Sequence, residues 1–444
     1  MTTHPDQHTT NDDTAPSGFA GHEVSPVVTM RTTTDIRLPM PPLPPRHVPR
    51  PRLTSALDQA RGMPLILISA GPGTGKTVLL SEWARAGNES AAWFTPKPVD
   101  NDPIRFWRQL RLAVRSSGAF DGKNRLAEWP ERITGDSLGA PLRDMREPPP
   151  PATLIIDDAH LLTHPQILDG LDSVVRSGHS PLRLVLAARS DPMLPLHRYR
   201  LAGQMFELRA VDLAMTDPEA RALLDAHGVT LPAPAFDVLA ARTEGWTAGI
   251  RLSAMRMEGT SRPADFVAEF AVDEGSIGEY LTYEVIDRLP EQSRQMLIQT
   301  GFLDVVTGDL AGVVTGFKDC AESLAHLARN NAFVIPLDAA HTRFRYHHLL
   351  AEILRYTLQR QGPEPPTTLY GRAATWFEGQ GDYQTALHWI VLARDTGRAA
   401  SLLARRVVAD IFVRGADIAQ SDLLDLLPLE TPAGAADIRT AETA

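Results

Sequence analysis

The residues with the clearest chemistry form a glycine-rich segment, AGPGTGKT, at residues 70–77. Residues 64–69 are an apolar run that predicts a buried strand, and residues 78–85 predict a helix directly after the loop. This order of strand, loop and helix is the one that a phosphate-binding loop requires. The predicted phosphate-binding residues are Ala70, Gly71, Pro72, Gly73, Thr74, Gly75, Lys76, Thr77 and Val78.

Each residue type in this loop has a physical role toward a nucleotide phosphate. The glycines allow successive backbone N–H groups to turn inward, and the following helix points the positive end of its dipole at the same place. Lys76 would reach the β- and γ-phosphates, and the Thr77 hydroxyl is placed for Mg²⁺. Lysine occurs only at positions 76, 97, 123 and 318, so the lysine in this motif does not reflect a lysine-rich composition. The alternative is a glycine-rich turn that binds nothing, which the flanking pattern disfavours.

A second strand that ends in carboxylates would turn the phosphate loop into an ATPase site. Residues 153–156 are apolar or β-branched, which is typical of a buried parallel strand, and Asp157 and Asp158 follow them. Asp157 is predicted to hold the Mg²⁺ shell, and Asp158 to orient or polarise the attacking water. Two acids after a strand also cap helices. Together with the phosphate loop, however, this pair favours the metal and catalytic roles.

Other segments predict the sheet that must position these residues. Strands are predicted at 91–95, 182–187 and 205–208, and the alternation of strands with helices gives an α/β fold, a parallel sheet with helices on both faces. Arg189 follows the strand from residue 182, at the carboxyl edge where ligands bind in such sheets. Its guanidinium is predicted to contact a γ-phosphate. The alternative is a solvated arginine at a strand end.

Further motifs extend beyond the nucleotide site in a fixed order. VPRPRL at 48–53 precedes the loop, and LIIDDAH at 154–160, LVLAARSDPMLPL at 184–196, GWTAGIRL at 245–252, YLTYEV at 280–285 and FRYHHLL at 344–350 follow it. Together they resemble the ATPase part of the large ATP-binding LuxR-type transcriptional regulators, typified by the maltose-regulon activator, within the STAND class of signal-transducing P-loop NTPases. The ordered set of motifs is far more specific than any one of them.

The resemblance implies a domain organisation, which helix starts and proline-rich segments help to place. After the α/β domain it implies all-helical, winged-helix and tetratricopeptide-like segments. The predicted parts are a disordered N-terminal arm (1–45), a P-loop NTPase domain (46–215), a small helical domain (216–288), a winged-helix domain (289–362), the start of a helical-repeat arm (363–430) and a disordered tail (431–444).

The resemblance also implies roles for residues outside the phosphate loop. The segment that starts at Gly245 would line the adenine side of the pocket, and His347 would contact the phosphates of bound ADP from the winged helix. The alternative for His347 is a packed or solvated histidine. Thr247 departs from the family pattern, which commonly has proline there. The chain stops at Ala444, so the family's C-terminal helix-turn-helix is expected to be missing and no residue is predicted to bind DNA.

Composition agrees with a protein that does not itself bind DNA. The 44 basic and 54 acidic side chains give a net charge of −10, without a localised basic patch. Cys320 is the only cysteine, which excludes an internal disulfide and predicts a reducing, cytoplasmic location. No apolar run approaches the roughly 20 residues that span a bilayer, and the N-terminus lacks the features of a signal peptide. No membrane partner is therefore predicted.

The predicted function is an ATP/ADP-binding switch with Mg²⁺, in which slow ATP hydrolysis resets the state. The predicted partners are an inducer or protein at the helical arm and further copies of the chain, in nucleotide-driven self-association. The alternative is a P-loop kinase or other metabolic ATPase that acts on a small-molecule acceptor, which predicts rapid turnover and no nucleotide-driven assembly. A scaffold with a degenerate pocket is disfavoured by the intact Lys76, Thr77 and Asp157.

Overall fold

The computed structural model describes residues 40–87, 91–117, 152–176, 182–268 and 275–414. The predicted N-terminal arm, residues 1–45, lies outside the described residues up to residue 39. The predicted tail, residues 431–444, lies wholly outside them, as does the end of the predicted helical-repeat arm, residues 415–430.

A parallel sheet of five strands carries the candidate site. The strand order is β2-β3-β4-β1-β5, and every neighbouring pair is parallel. This topology confirms the predicted α/β fold. β4 lies between β1 and β3, so the phosphate loop after β1 and the two aspartates after β3 lie on either side of the end of β4. The strands are β1 Leu65–Ser69, β2 Ala91–Phe94, β3 Ala152–Ile156, β4 Leu182–Ala188 and β5 Met205–Arg209.

The central strands are buried on both faces because alternate side chains enter two separate cores. In β1, Leu65 and Leu67 pack in one core, while Ile66 and Ile68 pack in the other, and none of the four is exposed. Burial of one such side chain stabilises the fold by about 1.5–3 kcal/mol, so the sheet holds the loop after β1 in a fixed position. The helices of this part are Pro51–Gln59 and Lys76–Ala86 on the second core, Pro103–Ser116 and Pro165–Arg176 on the first, and the shorter Leu196–Leu201 and Ala210–Leu213.

Four helices follow the sheet and have a core of their own. The first begins after Thr216, whose hydroxyl accepts from the Glu219 N–H at 3.5 Å while the Glu219 carboxylate accepts from the Thr216 N–H at 3.0 Å. This reciprocal capping box satisfies two N–H groups at the helix start. Leu223, Phe236 and Ile250 meet in the core. The helices are Asp217–Ala226, Ala233–Thr243, Thr247–Met257 and Pro263–Ala268.

The next part, residues 276–361, combines helices with a small antiparallel sheet, the composition of a winged helix, and is called the winged-helix part below; it includes residues 276–288 of the predicted helical domain. The strands β6 Val306–Thr307, β7 Val334–Pro336 and β8 Arg343–Tyr346 pair in the order β6-β8-β7. A π-helical turn, Thr282–Ile286, continues from the helix Ser276–Leu281. The remaining helices are Glu291–Thr300, Gly308–Thr315, Cys320–Arg329 and His348–Gln361.

Three helices, Pro366–Gly379, Tyr383–Leu392 and Thr396–Arg414, end the described part of the chain. They share a core with the winged-helix part, where the Phe302 ring lies edge-on to Tyr370 at 4.8 Å and to Trp389 at 4.9 Å. A bilayer-spanning helix, which needs about 20 apolar residues, is not found among the described residues.

Candidate nucleotide site

The loop after β1 has the backbone shape that a phosphate requires. Gly73 and Gly75 have φ angles of 71° and 85°, in the left-handed region that glycine adopts without strain. Gly75 directly precedes the helix Lys76–Ala86, so the unpaired N–H groups of the first helical turn are available at the loop. The Thr74 hydroxyl donates to the Gly71 carbonyl oxygen at 2.9 Å and closes the turn. The local geometry therefore fits a bound phosphate.

Lys76 is a buried cation within this loop. Its side chain is 8% exposed, and its ammonium donates to the carbonyl oxygens of Ala70 and Gly71, each at 2.7 Å. Burial and then the nearby Arg189 guanidinium lower the pKa of Lys76 to about 8, against the opposing effect of Asp157 and Asp158. A phosphate bound here would supply negative charge and favour the ammonium form.

Two oxygen donors of the kind that Mg²⁺ prefers lie together beside the loop. The Thr77 hydroxyl donates to Asp157 Oδ2 at 2.7 Å. Asp157 is 4% exposed, and its burial raises the pKa of the carboxyl, with the hydrogen bond from Thr77 opposing. Mg²⁺ is usually bound by one or two protein oxygens together with substrate phosphates and water. Thr77 and Asp157 therefore fit a Mg²⁺ ion that is shared with a nucleotide.

Asp158 and His160 lie just beyond the end of β3. Asp158 has a left-handed φ of 59° and a side chain that is 38% exposed, so its carboxylate is accessible to water. His160 Nδ1 lies 3.9 Å from Asp158 Oδ1 and accepts from the Arg189 backbone N–H at 3.4 Å. Burial lowers the pKa of His160 to about 4, with Asp158 opposing. His160 is therefore neutral near pH 7 and links the ends of β3 and β4.

Arg189 follows β4 directly and is contacted by two residues from the winged-helix part. Its Nη1 lies 2.9 Å from Glu284 Oε2, and its carbonyl oxygen accepts from the Asn331 side-chain amide at 2.8 Å. The Ala70 N–H donates to the Ala188 carbonyl oxygen at 3.2 Å, which joins the end of β1 to the end of β4. The phosphate loop, the two aspartates and Arg189 thus lie at one edge of the sheet.

The segment from Gly245 contacts the phosphate loop itself. The Trp246 indole N–H donates to the Pro72 carbonyl oxygen at 3.0 Å, and the Ala248 N–H donates to the Gly73 carbonyl oxygen at 2.9 Å. A Cβ on Gly73 would lie 2.7 Å from Ala248 Cβ and 2.8 Å from Trp246 Nε1, so Gly73 is needed for this close approach as well as for its φ angle. The adenine role of the segment stays a prediction.

The ring nitrogens of His347 are hydrogen-bonded to residues outside the phosphate loop. It precedes the helix His348–Gln361, and its Nδ1 accepts from the Leu349 N–H at 3.3 Å. Its Nε2 lies 3.2 Å from the Thr243 carbonyl oxygen, which can only accept, so the proton belongs on Nε2. Both ring nitrogens are therefore occupied. A contact with ADP phosphates, which stays a prediction, would require the ring to leave at least one of these partners.

Sequence reasoning missed three contacts with this site. Glu284 lies within the motif YLTYEV, which carried the resemblance but received no role, and His160 lies within LIIDDAH in the same way. Asn331 had no signal, because a single asparagine in a helix-to-strand connection is typical of turns. The motif GWTAGIRL marked Trp246 as part of the pocket, but nothing in the sequence pointed to Pro72, which is 174 residues away, as its hydrogen-bond partner.

Comparison with known proteins supports the same interpretation. Residues 282–366 match the MalT winged helix domain family. The HTH-type transcriptional regulator MalT of Klebsiella pneumoniae subsp. pneumoniae is 28% identical over 368 residues, which cover 80% of this chain and 40% of that protein. The serine/threonine-protein kinase PknK of Mycobacterium tuberculosis is 27% identical over 369 residues, which cover 80% of this chain and 33% of that protein. The chain therefore spans less than half the length of these relatives.

A solved structure shows the fold at greater sequence distance. The Walker-type ATPase of Pyrococcus abyssi aligns with a TM-score of 0.50 and 12% identity, over 72% of this chain and 100% of that one. This likeness agrees with the P-loop ATPase fold built from the five parallel strands. The MalT matches confirm that the chain resembles the MalT-like regulators.

Proposed function

We propose that this chain is a nucleotide-dependent regulatory switch in which ADP and ATP favour different arrangements of the NTPase and winged-helix parts. One observation carries this proposal: both the helical segment at Trp246 and the winged-helix residues Glu284 and Asn331 contact the residues that surround the phosphate site. A ligand at the phosphate loop would therefore act on how the winged-helix part is held against the site. The MalT relatives, which are named as transcriptional regulators, support a regulatory role.

The site residues divide the chemistry among them. Residues 70–78 would bind the phosphates, and Thr77 with Asp157 would hold Mg²⁺. When bound, the ion neutralises charge that develops on the phosphate oxygens. Asp158, whose carboxylate is accessible to water, would orient the attacking water in slow hydrolysis. Arg189 would contact the γ-phosphate, and His347 would contact the phosphates of ADP after turning from Thr243.

A switch of this kind requires that each nucleotide bind one arrangement more tightly than the other. Reversal of a 99:1 preference needs about 5.5 kcal/mol of differential affinity. Several charged contacts at the γ-phosphate could together supply a difference of this size. An inducer or a protein at the helices after residue 363, and nucleotide-driven self-association, would connect the switch to its signal. A metabolic small-molecule kinase is not favoured, because the MalT-like resemblance extends through the winged helix.

The experiment that tests this function identifies the nucleotide released when freshly purified protein is denatured. Lys76→Ala removes the loop cation, and Lys318→Ala removes an exposed lysine far along the chain as the matched control. We expect the parent and Lys318→Ala to release ADP, and Lys76→Ala to release at least tenfold less, since a buried charge contact with phosphate is worth more than about 1.4 kcal/mol.

Two outcomes would contradict the proposal. Equal nucleotide release from Lys76→Ala, with circular dichroism showing a folded chain, would remove the phosphate role from this loop. A parent protein that releases no nucleotide, and binds neither ADP nor ATP in calorimetry, would remove the switch altogether. Rapid turnover of ATP with a small-molecule acceptor would instead support the enzyme alternative.

A further inference from the structure

Arg189 lies at the candidate nucleotide site and is contacted there by the winged-helix part. β4 lies between β1 and β3, so the residue after it lies between the phosphate loop and the two aspartates. Its guanidinium is close enough to Lys76 to contribute to the lowered pKa of that side chain. The same guanidinium lies 2.9 Å from Glu284, which belongs to the π-helical turn Thr282–Ile286.

The ion pair between Arg189 and Glu284 is close but poorly directed. Glu284 Oε2 is buried and receives no aligned hydrogen bond, even though Arg189 Nη1 is 2.9 Å away. Its other oxygen, Oε1, accepts from Arg288 Nη2 at 2.9 Å. The side chains of Arg189 and Glu284 are 26% and 18% exposed. The contact is therefore mainly Coulombic, and an anion with better-placed oxygens can replace it.

Further contacts place the winged-helix part against both Arg189 and the phosphate loop. Asn331 donates to the Arg189 carbonyl oxygen at 2.8 Å. A Cβ on Gly71 would lie 2.7 Å from the Asn331 carbonyl oxygen and 3.6 Å from the Phe333 ring. Asn331 and Phe333 both have left-handed φ angles, 50° and 60°. This strained connection is held against the loop and against Arg189 at once.

We propose that Glu284 is a positioning residue that holds the Arg189 guanidinium for the winged-helix part, and that the γ-phosphate of ATP takes this guanidinium from it. A guanidinium forms forked contacts with carboxylate and with phosphate, and a single guanidinium in one rotamer does not serve both. ADP has no γ-phosphate and leaves the ion pair intact. Loss of the pair would weaken the winged-helix contact in the ATP form only. This inference rests on the proposed nucleotide switch.

The test measures dissociation constants of the full chain for ADP and for a non-hydrolysable ATP analogue with Mg²⁺, by competition with a fluorescent nucleotide. Glu284→Gln keeps the shape of the side chain but removes the charge. We expect its ratio of ADP to ATP-analogue dissociation constants to shift about tenfold toward the ATP analogue, as for a partly buried charge contact. The matched control is Glu279→Gln, an exposed residue on the preceding helix Ser276–Leu281.

A double-mutant cycle identifies the residue through which Glu284 acts. In an Arg189→Ala background, Glu284→Gln is expected to leave the ratio unchanged, because the guanidinium for which Glu284 and the γ-phosphate compete is absent. A shift that persists in that background, or equal changes in the affinity for both nucleotides, would overturn the inference. If Glu284→Gln did not fold, Glu284→Asp would provide the same test with a smaller shift. A parent that binds neither nucleotide would instead remove the proposed function.

Discussion

The phosphate site, which comprises the loop and Arg189, is contacted by two regions that use different chemistry. From the helical part, Trp246 and Ala248 donate to carbonyl oxygens of the loop, and the Thr247 hydroxyl lies 3.3 Å from the Thr74 carbonyl oxygen. From the winged-helix part, the contacts are the Glu284 carboxylate and the Asn331 amide on Arg189. The first region contacts the backbone of the loop, and the second contacts Arg189, at its guanidinium and at its backbone carbonyl oxygen.

This difference determines which contact a nucleotide can disturb. Phosphates bind through loop N–H groups and cations, so carbonyl oxygens that accept from Trp246 and Ala248 are not in competition with them. The Arg189 guanidinium, in contrast, is attracted both by Glu284 and by any phosphate within reach. The helical contact is therefore expected to persist in both nucleotide forms, while the winged-helix contact is expected to depend on the γ-phosphate.

The largest expected effect follows from the loss of Trp246, a residue of the helical part that also packs against the winged-helix part. Its indole is 4% exposed, lies 5.2 Å from the Phe333 ring and 5.5 Å from the Tyr280 ring, and donates to Pro72. Trp246→Ala is expected to lower the free energy of unfolding by about 3–5 kcal/mol, since it leaves a cavity where the two regions meet. Urea unfolding followed by circular dichroism measures this loss.

Trp246→Phe separates packing from the hydrogen bond in the same position. It keeps an aromatic ring against Phe333 but leaves the Pro72 carbonyl oxygen without its donor, and is expected to cost about 1–3 kcal/mol. Equal costs for Trp246→Ala and Trp246→Phe would mean that the hydrogen bond to Pro72, and not the packing against Phe333, accounts for the stability that Trp246 contributes.

A second prediction concerns pH, because His347 joins the two regions as a neutral group. Burial lowers the pKa of His347 from 6.5 to about 4, with Glu244 and the Thr243 carbonyl oxygen opposing and with His348 and Arg345 adding to the decrease. The unfolded chain therefore binds the proton first as pH falls. The contribution of His347 is fully present above pH 6.5, and up to about 3 kcal/mol is lost as the pH falls from 6.5 to about 4.

His347→Asn keeps a side-chain acceptor at the start of the helix His348–Gln361 but removes the titrating group. The free energy of unfolding of this variant, measured by urea titration at several pH values, is expected to fall less steeply between pH 6.5 and 4 than that of the parent. His341→Asn is the control, because His341 is exposed and has a φ of 53°, which asparagine tolerates. Parallel curves for the parent and His347→Asn would show that His347 is not held neutral.

The parts of this site that could be predicted from the sequence are those determined by local pattern. The strand Leu65–Ser69 and the helix Lys76–Ala86 lie within about two residues of their predicted bounds, because an apolar run, a glycine-rich loop and a periodic helix are all local signals. The position of β4 between β1 and β3 was not predicted, since strand order depends on crossover connections and not on any one segment.

Contacts between distant segments mark the limit of sequence reasoning. The hydrogen bond from Asn331 to Arg189 spans 142 residues, and nothing in either segment identifies the other as its partner. The expected role of Arg189 followed from its place at a strand end, but its pairing with Glu284 depends on how the winged-helix part packs on the sheet. Such pairings are set by tertiary packing, which a single sequence does not reveal.

The smallest expected effect concerns Thr247, the first residue of the helix Thr247–Met257. Proline is favoured at this helix position, where the N–H has no intrahelical partner. The preceding residue, Trp246, already has the extended conformation that proline demands, with φ −65° and ψ 113°. Thr247→Pro is expected to gain about 0.4–1 kcal/mol from the restricted unfolded chain, and to lose a similar amount with the 3.3 Å hydrogen bond to Thr74.

The net change in the free energy of unfolding of Thr247→Pro is therefore expected to stay below about 1 kcal/mol. Thr247→Ala loses the hydroxyl without the gain from proline, so it measures the contribution of the hydrogen bond to Thr74 alone. Because the Thr247 hydroxyl donates to a neutral carbonyl oxygen of the loop, the ratio of ADP to ATP-analogue affinity is expected to stay unchanged in both variants. A changed ratio in Thr247→Ala would show that the helical contact also responds to the γ-phosphate, and the contrast with the contact between Arg189 and Glu284 would no longer hold.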